Sequence, residues 1–281
     1  MNVYKLGRLA RQGISYFILI LTSLIFLLPF FWMLSTALKL PKDIYALPLK
    51  WIPDPPTLDN ITQGWAYADF TRFSLNTLLI TTLGTLGTLI SSSLVAYGFA
   101  RFPCRWNSIL FPVVIATLML PRQITLIPSY MMYSRFGWID TYLPLVLPEW
   151  LGTSAFNIFL LRQFLKAIPR ELDQAAEIDG CNSFGIFLKI LVPVIRPALI
   201  SVGIMSIIYY WNDFLGPLIY LTTSSKYTIS IGLQYFNKSY GMNQVNLLMA
   251  VSLVTILPLI TLFFFAQRYF VQGITVTGLK G

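Results

Sequence analysis

Histidine is missing altogether from the 281 residues. With it goes the side chain that titrates near neutrality and most often acts as general base or metal ligand. Charge is scarce: Asp, Glu, Lys and Arg make up 11% of the chain, against about 25% in an ordinary soluble domain. The two cysteines, Cys104 and Cys181, fall in segments placed below in cytoplasmic loops. Thiols stay reduced there, so no disulfide is expected. A phosphate-binding loop is absent as well. Gly273 and Gly278 have the glycine spacing, but Leu279 stands where the lysine belongs and no Ser or Thr follows. That stretch also trails an apolar helix rather than a strand. No catalytic or metal-binding residue is nominated, and the chain is not expected to be an enzyme.

Apolar residues fill the space that charge leaves. Hydrophobic residues are 56% of the chain and mean hydropathy is +0.68, which marks an all-α membrane protein. Windows of about 20 apolar residues predict six transmembrane helices, near 15–37, 73–98, 109–131, 142–164, 198–221 and 245–266. The organisation is then a short segment 1–14, a six-helix transmembrane domain 15–270 with a conspicuous loop at about 166–192, and a tail 271–281. The basic start and the apolar run after it resemble a signal peptide. The run is too long, however, and lacks a small-residue cleavage pattern, so a retained span is expected.

Orientation follows from Lys and Arg. Twelve lie in the termini and the even-numbered loops, against eight on the other side. Four of those eight share a long first loop with Asp43, Asp54, Asp59 and Asp69. Both termini and the 166–192 loop are therefore expected in the cytoplasm. The net charge of +9 is mostly this topology signal, and nucleic-acid binding need not be invoked.

The loop is among the most polar stretches of the chain. Pro169 suits a helix start, with Glu171 and Asp173 in the first turn where acids complement the dipole. Leu172, Ala175, Ala176 and Asp179 share one face at helical spacing. Gly180 can end that helix in a left-handed conformation. Asn182 or Ser183 can cap a second helix whose Phe184, Phe187, Leu188 and Leu191 form an apolar stripe before Pro193. Two short helices with a sharp corner are predicted. Spacing alone leaves an ordinary loop between spans equally open.

The run Gln174-Ala175-Ala176, Asp179-Gly180, Phe187, Ile190 and Pro193 resembles the EAA loop of ABC-importer permeases, with Gln174 in place of the usual Glu. The resemblance covers nearly the whole chain. It includes the Pro- and Trp-rich outer loop around Trp51, Pro53 and Pro56, the Ala96–Phe102 segment, Trp211-Asn212-Asp213-Phe214 with Pro217-Leu218, and the C-terminal Gly273 to Gly281. It is closest to the second permease of maltose-type, carbohydrate-uptake importers. That resemblance implies the type I importer fold and ATPase coupling through Glu171, Gln174, Ala175, Ala176, Asp179, Gly180 and Pro193, with the tail at Gly278 and Lys280 entering the ATPase interface. It also implies a second permease, two ATPase subunits carrying ATP and Mg, an extracytoplasmic solute-binding protein, a sugar cargo and a bacterial or archaeal inner membrane. No cofactor would be bound by this chain itself.

Charged residues at membrane depth are costly and seldom face lipid. Arg122 after Leu120-Pro121, Glu149 after Pro148, and Asp213 beside Trp211 and Asn212 are therefore candidates for a substrate pathway. Each also has a plainer reading, with Arg122 snorkelling to the interface and the aromatic run closing a helix end. An ion-coupled secondary transporter could use Glu149 or Asp213 instead. Such proteins usually show internal repeats, and none is seen.

Overall fold

The computed structural model describes residues 3–237 and 244–278, with the side chains of 1–10, 237 and 268–278 left aside. Every regular element among them is helical. In chain order these are α1 (Val3–Ala37), α2 (Asp59–Tyr67), α3 (Phe70–Arg101), α4 (Asn107–Ala116), α5 (Arg122–Arg135), α6 (Leu143–Trp150), α7 (Ala155–Ala167), α8 (Glu171–Ile178), α9 (Ser183–Ile186), α10 (Val192–Val194), α11 (Arg196–Asn212), α12 (Leu215–Tyr220), α13 (Ile229–Gly232) and α14 (Val245–Gly278). Among the described residues four stretches are long and apolar enough to cross a membrane, or up to six if each of two bent pairs counts as one span.

Contacts divide the chain into two units, Met1–Ala68 with Leu233–Leu257, and Asp69–Gly232 with Pro258–Gly281. In the first, α1 is an apolar rod exposed from Arg11 to Phe31. Two of its hydroxyls are satisfied locally: Thr22 and Ser23 donate to the Ile18 and Leu19 carbonyls at 2.7 and 2.8 Å. Asn60 ties this unit together. Its Nδ2 donates to the carbonyls of Ala37 and Lys39 at 2.8 Å each, and its Oδ1 accepts from Asn246 at 2.8 Å. Lys39, 1% exposed, lies 4.2 Å over the Trp32 ring. Burial lowers the Lys39 pKa, while nearby Asp43 opposes the shift.

In the second unit α3 is the centre, packed against α6, α7 and α11. Asp69 caps it by accepting from the Arg72 N–H at 3.1 Å. Small residues make the close approach possible. A Cβ on Gly84 would enter the Tyr210 ring, and one on Gly87 would enter Trp150. Buried apolar side chains gather at one end of α3, where Ala96, Tyr97 and Ala100 meet Leu161, Leu165, Ala176, Phe187, Leu191 and Val202.

Two sequence expectations need correction. The span predicted at 109–131 is broken: α4 runs through a tight turn at Thr117–Met119 and meets α5 at 102°. Pro121 holds an extended backbone there, as a residue with fixed φ and no N–H allows. The helix predicted across 198–221 stops at Asn212 and restarts as α12. The segment between α1 and α3 contains a helix of its own, α2.

Candidate functional site

Two places on α3 carry the residues singled out by the sequence. The first is the corner between α8 and α9. Gly180 sits at φ +80°, the left-handed region a side chain resists. Asn182 caps α9, its side-chain oxygen accepting the Gly185 N–H at 2.8 Å. After Ile186 the helix widens into a π turn over Phe187–Leu191. That extra residue in the turn shifts the register, so the expected stripe does not hold. Ile186, Phe187 and Leu191 are buried, while Phe184 and Leu188 are exposed.

The flat face predicted on α8 also divides. Ala176 is 5% exposed and packs into the core beneath, whereas Leu172, Ala175 and Asp179 face outward with Glu171, Gln174, Glu177 and Gly180. Pro193 is exposed on α10. Ile178, which the sequence pattern left unremarked, is 87% exposed at the tip.

The corner is fastened to the end of α3 by residues read from sequence only as topology charges or helix-end acids. Arg101 and Asp173 form an ion pair at 2.7 Å, both side chains largely buried, with the Nε–H off the line to the carboxylate oxygen. Arg101 also donates to the Ile168 carbonyl at 3.1 Å, and Tyr97 OH donates to the Ser183 carbonyl at 2.9 Å. The Tyr97 and Phe187 rings lie 4.9 Å apart.

The second place is a cavity of about 610 Å³ walled by α5, α6 and α11 together with the short helix α12. Its three charged residues each stand at a helix boundary. Arg122 opens α5, Glu149 is next to last in α6, and Asp213 caps α11. Arg122 donates to Tyr209 OH at 2.5 Å, and its Nη2 lies 3.8 Å from Asp213 Oδ2. Asp213 in turn accepts the Gly216 N–H at 3.2 Å. A side chain on Gly216 would strike that carboxylate. Glu149 is held through its backbone, whose carbonyl accepts from Ser91 of α3 at 2.5 Å. Its Oε2 is buried without a hydrogen-bond partner. Trp150 Nε1 donates to the Leu83 carbonyl at 3.0 Å, fixing α6 on α3.

Of the five pathway candidates, the structure thus brings Arg122, Glu149 and Asp213 together. Trp211 and Asn212 are not in the wall; Asn212 donates back to the Ile208 carbonyl of its own helix at 2.8 Å. Their neighbours Tyr209 and Tyr210 line the cavity instead, with Tyr133 and Tyr220. Of the tail candidates, Gly278 is the last described helical residue and Lys280 lies outside the described residues.

Apolar helices around a polar compartment, with an exposed corner braced on the helix that backs it, define a polytopic membrane transport protein. The chain belongs to the binding-protein-dependent transport system inner membrane component family, whose pattern it matches over residues 89–276, and it is a permease rather than an enzyme. It is 33% identical to the arabinooligosaccharides transport system permease protein AraQ of Bacillus subtilis, over 96% of each chain. It is 32% identical to the lactose transport system permease protein LacG of Rhizobium radiobacter, over 92% of this chain and 93% of that one. In fold it is similar to a chain of a bacterial ABC transporter that imports the acidic polysaccharide alginate. There the TM-score is 0.84 at 19% identity, covering 94% of this chain and 98% of the other.

Proposed function

We propose that this chain is one of two permease subunits of an ATP-driven importer that carries a sugar or oligosaccharide. A second permease completes the pathway, an extracytoplasmic binding protein delivers the cargo, and two separate ATPase subunits hold ATP and Mg. The chain crosses the inner membrane six times with both termini in the cytoplasm. The sugar assignment draws on the cargo of the relatives and on a cavity of tyrosines, hydroxyls and carboxylates, groups that stack on and hydrogen-bond to saccharides. The tail from 271, with Gly278 and Lys280, reaches the ATPases.

One observation carries the mechanism: the α8–α9 corner is fixed by Arg101, Tyr97 and Ala176 to the same helix that anchors Glu149 and Trp150. ATPase closure against the exposed Leu172, Gln174, Ala175 and Ile178 surface moves the corner. Because α3 is one continuous helix from Phe70 to Arg101, it carries that motion to the cavity wall, an alternation between two packed states.

The test is co-purification from gently extracted membranes. An ATPase and a second permease should accompany the tagged chain, and Ala175→Arg or Ile178→Asp should release the ATPase while the second permease stays. Recovery of the chain alone, moving solute in liposomes without ATP, would sink the proposal and favour an ion-coupled carrier using Glu149 or Asp213.

A further inference from the structure

Among the described residues the cavity wall contains one cation and two acids. Arg122 is the only basic residue among the described residues of the wall. It is already answered, by Asp213 at 3.8 Å and Tyr209 OH at 2.5 Å. Asp213 is braced in turn by the Gly216 N–H, with no room for a side chain at 216 to displace it. Glu149 is left over, in a wall otherwise made of apolar groups, hydroxyls and phenols. Whichever protonation state Glu149 takes, the described residues of the wall carry no net positive charge. A carboxylate, sulfate or phosphate on the cargo would leave water for a compartment with no net compensating charge, which is unfavourable by the general cost of burying a charge. Uncharged hydroxyls carry no such penalty, and the wall offers them the hydroxyls of Thr117, Ser129 and Thr153 and the phenols of Tyr133 and Tyr220.

We infer that the Arg122–Asp213–Glu149 set is a charge filter that passes uncharged, hydroxyl-rich saccharides and rejects those bearing uronate, sulfate or phosphate groups. The inference rests on the cavity being part of the translocation path. It separates this chain from the alginate importer it resembles in fold, whose cargo is an acidic polysaccharide. Asp213 is the specificity-determining residue, because removing its charge uncovers the guanidinium.

The test reads the cavity potential directly and needs no knowledge of the sugar. Cys104 and Cys181 are changed to Ser, and Thr125→Cys places a single thiol in the wall, on the same turn as Arg122. Membranes carrying the whole complex are treated with two methanethiosulfonates of similar size, one ending in trimethylammonium and one in sulfonate. Their rates are normalised to those with a free thiol. The cationic reagent should react faster, and Asp213→Asn should shift the rate ratio toward the anionic reagent by roughly tenfold, as removal of a nearby unit charge does. Glu149→Gln should shift it in the same direction and less, and Arg122→Gln in the opposite direction. A ratio that none of these changes moves, or a wild-type preference for sulfonate, overturns the filter. Failure of both reagents to reach the thiol in every variant would instead overturn the cavity as a water-accessible path, and with it the proposed function of this site.

Discussion

The two candidate regions sit on one helix and are built in opposite ways. The corner at α8–α9 is made by local rules: an acid-rich first turn, a glycine at φ +80°, and an Asn cap three residues before the N–H it satisfies. The cavity is made by helices that stop. Arg122, Glu149 and Asp213 come from positions scattered over about 90 residues of chain and are polar just where helical hydrogen bonding ends. Continuous helix would be the simplest way through a membrane, since it satisfies every backbone group. Broken helix therefore appears beside the polar compartment, and intact helix where the proposed mechanism needs force to be carried. Between Leu83, which receives Trp150, and Arg101, which holds Asp173, α3 advances about 27 Å at 1.5 Å per residue.

That contrast is most severely tested where the corner meets the helix. Arg101→Leu leaves the Asp173 carboxylate largely buried without its partner, a loss of roughly 3 kcal/mol. The expected result is a complex that still binds its ATPase and hydrolyses ATP while uptake collapses. The charge-reversed pair Arg101→Asp with Asp173→Arg should recover part of it. Equal loss of ATPase binding and uptake would show that the pair only holds the loop together. Next in size, Gly84→Val drives a side chain into Tyr210, and overpacking of this kind costs about 2 kcal/mol. A lowered thermal midpoint with cavity-thiol labelling disturbed is expected. An unchanged midpoint would mean that α3 and α11 are free to separate.

How much of this could be read from sequence differs between the regions for the same reason that their construction differs. The corner was legible because Gly180 and Asn182 act within a few residues of themselves. What failed there was periodicity: a stripe at Phe184, Phe187, Leu188 and Leu191 presumes 3.6 residues per turn, and the π turn at 187–191 changes the phase. The clamp was invisible, because Arg101 and Asp173 are 72 positions apart and each had a sufficient local explanation. In the cavity the three charges were noticed as anomalies in apolar sequence. The breaks beside them were not placed, since a 20-residue hydropathy window averages over an extended Pro121 or a helix that ends at Asn212. Trp211 and Asn212 stand beside Asp213 in the sequence, yet Tyr209 and Tyr210 are the ones that line the cavity. Which of four consecutive residues faces a cavity is settled by rotation about the helix, and that depends on Gly84 admitting Tyr210.

A smaller effect separates the turn at Gly180 from the bonds around it. Gly180→Ala meets no neighbouring atom, so its cost is the left-handed backbone alone, about 1 kcal/mol. Thermal unfolding of the extracted complex should fall slightly, with ATPase binding weakened by less than the Ile178→Asp change. A loss as large as that of Arg101→Leu would mean that the corner depends on its own turn more than on α3.

The gentlest test concerns a brace outside the membrane-spanning segments. Asp140, at φ 60°, accepts the Thr222 and Thr223 N–H groups at 3.0 and 2.9 Å, the Thr223 hydroxyl at 2.6 Å and Lys226 Nζ at 2.8 Å. The lysine, then the threonine bonds, hold its carboxyl well below the usual carboxylate range. A depressed folded-state pKa contributes stability that is fully present above the unfolded value of about 3.9, and that is lost as pH falls through the lower folded value. The brace should therefore be indifferent to pH from neutrality down to about 4 and loosen only below it. Hydrogen exchange at Thr222 and Thr223, corrected for intrinsic rate, should show protection that is flat and then falls on acidification. Asp140→Asn keeps an acceptor and tolerates the positive φ, so protection should be lower at neutral pH and lose its acid dependence. If the acid step persists in the Asn variant, the titrating group is elsewhere. The loop after α12 would then be held by packing of Tyr220 and Tyr227 rather than by this carboxylate.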